Sequence, residues 1–391
     1  MIHSIVKVLE IVAVCGMVSS SVYYLLCLWG ARNFLLGRKA ADRSVRPTQF
    51  LPPVSILKPL KGIDPDIYES FRSHCLQEYP EYEIILGVSD RSDPAVASVE
   101  QLQREFPDRH VRLVVCPKGL GANVKVSNLA QMLPQARYEH LIVNDSDIRV
   151  ERDYLQRVIA PLADLKVGMV TCLYRGVAAS TLGSRLESLG ISTDFCAGVL
   201  AARQLESGIR FGLGSTLAFR RADLARAGGF ESLLDYLADD YELGKRIADL
   251  GLSVVLSDAV VETHLPAYDL RGFLSHQLRW ARGVRDSRAG GYLGLAFTFG
   301  LFWSCLALIL TYGAAWVWAS FGLTLFLRLA VALAIGKAVL RDGGLLRHLW
   351  LLPLRDFIAV GVWITSFAGH TVTWRGDRFR LKDGRLMRIG S

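Results

Sequence analysis

The 391-residue sequence contains seven cysteines but no Cys-x-x-Cys pair. Cys15, Cys27, Cys75, Cys116, Cys172, Cys196 and Cys305 stand apart from one another. That scatter excludes a zinc site or disulfide scaffold built on spaced pairs, and it suits a reducing compartment. Charge is scarce too: Asp, Glu, Lys and Arg make up 21% of the chain, against 51% hydrophobic residues. A disordered chain has the opposite balance. The mean hydropathy of +0.28 disfavours a wholly water-soluble enzyme and points to apolar surface that meets lipid. Several signatures of chemistry are missing. There is no GxxxxGK[ST] phosphate loop, GxGxxG dinucleotide spacing, GxSxG elbow or HExxH helix. No helix-turn-helix, zinc-finger or RRM pattern appears, so no nucleic acid is expected as a partner.

What is present is organised by hydropathy. Residues 11–29 are apolar apart from small hydroxyls, long enough for one crossing. A cleaved signal peptide would have a shorter apolar core and a small-residue cleavage site. Here Arg32, Arg38, Lys39, Arg43 and Arg46 follow, while only His3 and Lys7 precede. By the positive-inside rule this reads as a retained anchor with the next domain in the cytoplasm. Residues 293–312 and 314–336 read as two further spans, and Arg328 within the second should face protein or water. The stretch 349–374 is interrupted by Pro353, Arg355 and Asp356, so spanning, re-entrant and interfacial arrangements all stay open. Arg375, Arg378, Arg380, Lys382, Arg385 and Arg388 then argue for a cytoplasmic tail. The excess of 45 Lys and Arg over 37 Asp and Glu thus gathers beside apolar segments, which suits anionic lipid headgroups. We expect a multi-pass membrane protein in three parts: an anchor with its basic flank (1–46), a cytoplasmic domain (47–290), and membrane or interfacial helices with a basic tail (291–391).

Within 47–290, strand-like and helix-like runs alternate. Strands are expected at 54–57, 82–88, 111–116 and 141–143, and helices at 66–76, 94–106 and 124–133. This rhythm implies an α/β fold with a mostly parallel sheet covered by helices on both faces. Ligands of such sheets bind beyond the carboxyl ends of the strands.

Four constellations carry possible chemistry. Asp145 and Asp147 lie two residues apart at a strand end. Such a pair can hold Mg²⁺ or Mn²⁺, hard ions that share oxygen ligands with substrate phosphates, and it fits an exposed turn equally well. Asp239 and Asp240 open a helical run. One carboxylate suffices to favour a helix start, which leaves the other for a general base. Arg279 and Trp280, in the run from His276 to Arg282, read either as an interfacial helix or as a cationic clamp with an apolar wall. The loop from Gly119 to Lys125 offers close backbone approach and an ammonium for phosphate, or is an ordinary connection.

The order of these motifs resembles the membrane-bound glycosyltransferases of GT-A fold, and most closely the ceramide glucosyltransferase family, GT21. The resemblance runs from about residue 53 to residue 280. It rests on the Val54–Gly62 run VSILKPLKG, on Asp93-Pro94, on Asn144-Asp145-Ser146-Asp147, on Ala238-Asp239-Asp240-Tyr241, and on Arg279-Trp280-Ala281-Arg282. It implies a Rossmann-like nucleotide-sugar-binding domain with Asp93 on the uridine nucleotide, Asp145 and Asp147 on diphosphate through Mg²⁺ or Mn²⁺, and Asp240 as base of an inverting transfer. Lys125, Asp239, His276, Arg279 and Trp280 would contact substrate. The family's (Q/R)xxRW motif departs here, because His276 occupies its first position. The expected reaction moves glucose from a UDP-sugar to ceramide. A hopanoid acceptor with N-acetylglucosamine shares the same motifs. A non-catalytic membrane-anchored nucleotide-sugar-binding protein would not need Asp240. A transporter or polymer-exporting synthase would need more spans or intramembrane charges.

Overall fold

The computed structural model describes residues 2–43, 50–206, 208–374 and 377–389. Arg46 and Arg375, and the boundary expected at residues 46 and 47, lie outside the described residues. The middle of the chain forms one eight-stranded sheet. Its strands are β1 (Val54–Pro59), β2 (Tyr82–Val88), β3 (His110–Val115), β4 (His140–Val143), β5 (Ile148–Arg149), β6 (Val167–Val177), β7 (Leu217–Arg220) and β8 (Ser253–His264). The order is β3-β2-β1-β4-β7-β6-β8-β5. The first four strands are parallel, as the alternation predicts. The other half is mixed: β7 runs antiparallel to β4 and β6, and β5 antiparallel to β8. β1 and β2 are buried along their whole length, because helices cover both faces.

The expected early elements form within a residue or two of their predicted limits, with helices at Ile67–Cys75, Ala95–Glu105 and Val124–Met132. The first apolar segment is longer than the sequence suggests, whereas the span expected at 293–312 is broken at Phe299. Residues Ile2–Arg43 make a single helix. It packs against the helices Gly300–Leu310 and Ala315–Ala332 and against Cys196–Leu205 of the middle domain. Small residues permit the approach: a side-chain carbon on Gly16 would fall 2.4 Å from the Trp303 ring, and one on Gly30 would fall 2.8 Å from the Leu200 carbonyl. Arg38 does not reach headgroups. It is buried and donates to the Asp258 carbonyl (2.9 Å) and the Val339 carbonyl (3.0 Å), tying the first helix to the middle domain.

Among the described residues, three helical stretches are long and apolar enough to cross a bilayer: His3–Asp42, Ala315–Val339 and Leu345–Ser366. The pair Ala289–Thr298 and Gly300–Leu310, bent by 53°, makes a fourth candidate if read as one broken span. Pro353 does not interrupt the last stretch, because it sits in the first turn of the helix Leu352–Ser366, where no hydrogen bond is lost. Asp356 is tolerated there because Arg328 meets it with both arms, at 2.6 and 2.9 Å. Arg328 is buried against protein, as the sequence requires.

The basic tail folds into a three-stranded antiparallel sheet of β9 (Thr371–Trp374), β10 (Asp377–Lys382) and β11 (Arg385–Arg388). Phe379, Leu381 and Leu386 face inward on Ala122 and Leu237, while Arg378, Arg380, Lys382 and Arg385 face out. The Leu386 amide donates to the Asp235 carbonyl and the Leu237 amide to the Gly384 carbonyl, so the sheet lies on the segment that leads into Asp239 and Asp240.

Candidate active site

The carboxyl ends of the central strands converge on one acidic centre. β4 ends at Val143, and the next residue, Asn144, is fully buried. Its amide nitrogen donates to the Ser215 carbonyl (2.7 Å), the Tyr154 hydroxyl (2.9 Å) and the Thr216 hydroxyl (3.2 Å). This fastens the Asp145–Asp147 turn to the loop that carries Gly214. Beneath the turn lies Lys58, wholly buried at the end of β1, with Nζ donating to the Asp145 carbonyl (2.9 Å) and near the Ile148 carbonyl (3.5 Å). Burial pulls Lys58 down to about 7, although the Asp147 and Asp145 charges oppose this.

Asp239 and Asp240 are the first two residues of the helix Asp239–Asp249, whose cap is Ala238. They are therefore not capping side chains, but anions placed where the helix dipole favours them. Asp240 is raised to about 6, chiefly by burial and then by Asp239, with Lys125 acting in the opposite sense. Lys125 binds both carboxyl clusters: Nζ is 2.8 Å from Asp145 Oδ1 and 3.3 Å from Asp239 Oδ2. Burial would lower Lys125, but Asp145, Asp239 and Asp240 outweigh it and hold it protonated.

Gly214 marks the point of closest convergence. A side-chain carbon there would lie 3.0 Å from Asp145 Oδ2, 3.2 Å from Asp240 Oδ2 and 3.6 Å from Lys125 Nζ. The Gly119–Lys125 loop positions this group. Asn123 caps the helix Val124–Met132 through Val126 and donates to Asp239 Oδ1 (3.2 Å). Gly121 is pressed on Leu234, whose carbonyl would be 2.7 Å from an added side-chain carbon, so any larger residue there displaces the segment leading to Asp239.

Asp147 lies to one side. Its Oδ2 accepts from the Thr263 hydroxyl, and burial and the Asp145 charge raise it to about 6. Asp93 sits at the carboxyl ends of β1 and β2, where its carboxylate accepts from the Gly62 amide (3.0 Å) and the Ala95 amide (2.9 Å). It fixes the loop after β1 to the helix after β2.

The helix Leu270–Ser287 leads from this centre toward the apolar segments. His276 stacks on Tyr268 with ring centres 5.4 Å apart and lies 5.4 Å from Trp280. Its Nδ1 is 3.2 Å from Oε1 of Glu187, a buried carboxylate that sequence reasoning misses. Arg279 is half-buried on the same helix. An aromatic path joins the two regions: the Phe195 ring is 5.9 Å from Trp280 and 5.2 Å from Tyr174, and the buried Tyr174 hydroxyl is raised by burial and by the charges of Asp240, Glu187 and Asp145.

Among the described residues no three His, Cys, Asp or Glu side chains form a ready cage for a metal. Mg²⁺ and Mn²⁺ need none, because they take one or two carboxylates and complete their shell with water and phosphate oxygens. The Lys125 ammonium already holds a positive charge between Asp145 and Asp239, so the donor set suits a cation.

Comparison with known proteins gives a consistent picture. The family model of glycosyl transferase family 21 matches residues 12–387. Ceramide glucosyltransferase 1 of Caenorhabditis elegans is 23% identical over 97% of this chain and 82% of its own length. Ceramide glucosyltransferase of Komagataella phaffii is 33% identical over a shorter region, 39% of this chain and 31% of its own length. Among solved structures, the mannosyltransferase PcManGT of Pyrobaculum calidifontis, in complex with GDP-Man and Mn²⁺, is similar in fold, with a TM-score of 0.54 and 22% identity over 92% of this chain and 98% of that one.

Proposed function

The chain belongs to glycosyl transferase family 21, and from that premise we propose that it moves glucose from UDP-glucose to the primary hydroxyl of ceramide. It is a glycosyltransferase with a GT-A fold and apolar helices on either side of its sheet domain. The names of the matched relatives favour ceramide over a hopanoid acceptor. The observation that carries the reading is the convergence of Asp145, Asp240 and Lys125 around Gly214. A site that only bound nucleotide would have no use for Asp240, a second carboxylate set beside Asp145 at Gly214.

In this reading Asp240 accepts the proton of the acceptor hydroxyl. The freed oxygen bonds to the anomeric carbon as the bond from that carbon to the diphosphate oxygen breaks, and UDP departs with the electron pair. A single displacement inverts the anomeric centre. Lys125 carries positive charge toward the leaving diphosphate, and Asp145 and Asp147 are the residues for Mg²⁺ or Mn²⁺. When bound, that ion supplies charge neutralisation at the leaving group. Asp93 and its loop face the nucleotide, while Asp239, His276, Arg279 and Trp280 line the path to the acceptor. The basic residues that follow the first apolar run in the sequence, with those of the tail, support a cytoplasmic catalytic domain.

The test is Asp240→Asn in membranes. Retained UDP binding with lost transfer is expected. Unchanged transfer would remove Asp240 from the chemistry. Wild-type protein incubated with a panel of UDP-sugars and ceramide should yield a product heavier by one hexose. No product with any sugar would overturn the reading.

A further inference from the structure

The three-stranded sheet of the tail has two unlike faces. One packs on Ala122 and Leu237 through Val372, Phe379, Leu381 and Leu386. The other is turned away from the sheet domain, and the strand register sets its composition. On β10 it presents Arg378, Arg380 and Lys382, all exposed. Across from them on β11, Lys382 pairs with Arg385 and Arg380 with Met387, and the Ile389 amide donates to the Arg378 carbonyl (3.4 Å). Met387 is 51% and Ile389 46% exposed. A row of cations thus stands beside two uncovered apolar side chains.

Within the protein this face is unfavourable. Residues two apart on a strand stand about 7 Å apart on one side, so Arg378, Arg380 and Lys382 repel one another. Like charges directly opposite, as Lys382 and Arg385 are, destabilise a strand pair. Arg385 is relieved by the Tyr236 ring, whose centre is 5.1 Å away. Among the described residues, the side chains of Arg378, Arg380 and Lys382 have no hydrogen-bond or ion-pair partner. The position of the sheet says what could supply one. The last apolar stretch ends at Ser366 and β9 begins at Thr371, a gap that spans about 17 Å at full extension. The helix Leu270–Ser287 grips this connection: Arg285 donates to the Ser366 carbonyl and the Gly369 carbonyl (2.9 Å), and Arg282 to the Thr371 carbonyl (2.5 Å). The sheet is therefore held close to where the chain leaves the bilayer.

We propose that this outer face rests on an anionic bilayer surface, with Arg378, Arg380 and Lys382 on lipid phosphates and Met387 and Ile389 at the edge of the acyl layer. Charge alone would suit an acidic protein segment as well. The two exposed apolar side chains decide for lipid, because basic residues next to apolar ones match the boundary between headgroups and acyl chains. The contact involves neither sugar donor nor acceptor, so it stands or falls separately from the transfer reaction.

The experiment labels the full chain with a neutral amine-reactive reagent and reads Lys382 by peptide mass. The protein sits in nanodiscs of phosphatidylcholine, either alone or with about 30% phosphatidylglycerol. Lys166 is the internal reference: it is exposed just before β6, whose other end approaches the apolar helices where Arg175 donates to the Leu340 carbonyl. Relative to Lys166, labelling of Lys382 at about 0.1 M salt should slow about fivefold or more in the anionic discs. Raising the salt to about 1 M, where screening shortens to about 3 Å, should restore it. Arg378→Gln combined with Arg380→Gln, and separately Met387→Ser, should each remove about half of the protection or more. The salt series uses wild-type protein and so decides the matter even where a variant fails to fold. Equal labelling of Lys382 in the two kinds of disc would overturn the assignment, as would protection that survives about 1 M salt. Protection by added polyglutamate but not by phosphatidylglycerol would give the face to an acidic protein instead.

Discussion

Replacing Gly214 by alanine adds one methyl group at the most crowded point of the site. Gly214 does not adopt the left-handed backbone conformation that only glycine accepts readily, so the substitution itself is unstrained. The new carbon would sit 3.0 Å from Asp145 Oδ2 and 3.2 Å from Asp240 Oδ2, where an ordinary contact begins at 3.4 Å. Asp145 must then retreat by about 0.4 Å and Asp240 by about 0.2 Å, with the methyl left between them and Lys125. Displacement of about 1 Å at a reacting centre costs roughly 100-fold in rate, so a shift of this size on two groups together should cost roughly tenfold or more in kcat. Stability should move the other way. Alanine restricts the unfolded chain and adds about 0.4–1 kcal/mol where its backbone fits. The assay pairs initial transfer rates with thermal unfolding of the same preparation. Lower kcat with an equal or higher Tm is expected. Full activity would mean that Gly214 does not border the reacting groups. A fall in activity that tracked a fall in Tm would mean that the residue serves only packing.

Other outcomes follow from the same geometry. Asp240 takes a proton only when ionised, and its carboxyl is raised to about 6. The profile of kcat/KM should therefore be level above that pH and fall about tenfold for each unit below it. Arg328→Met leaves Asp356 and Asp194 without their buried partner and should lower stability by about 3–5 kcal/mol, read as a lower unfolding temperature in detergent. The double change Arg328→Met with Asp356→Leu should recover part of it. EDTA should abolish transfer, and Mn²⁺ or Mg²⁺ should restore it. Asp145→Ala should weaken metal and donor binding together, and full activity in chelator would contradict the assignment of Asp145.

The parallel half of the sheet was legible because each of its strands is a short β-rich run closed by turn residues, and such runs carry their own signal. The other half was not. The antiparallel direction of β7 depends on how the chain returns after the helix Cys196–Leu205, and no local pattern encodes that path. At the site, Asp145, Asp239, Asp240 and Lys125 could be named from motif and spacing, and the structure brings them together. Gly214 and Glu187 could not, because a lone glycine in a loop and a lone glutamate on a helix look ordinary until distant elements close on them. Lys58 did leave a trace: it is a lysine in a strand whose other residues, Ser55 apart, are apolar, a placement that costs too much without a specific partner. The tail misled in a different way. Its arginines and lysines read as a juxtamembrane charge cluster, but they alternate with Phe379, Leu381 and Leu386, and that period of two is the mark of a strand with one buried face.

The docking of that tail has a consequence for how the molecule comes into being. The Asp235 carbonyl is satisfied by the Leu386 amide, and the stretch of chain between them contains every apolar helix after the sheet domain. The floor under Asp239 and Asp240 therefore closes only once those helices have been threaded and have turned the chain back on itself. Catalytic competence then reports on successful insertion: a copy stranded outside the bilayer would keep most of its strands and lack a finished place for the reaction.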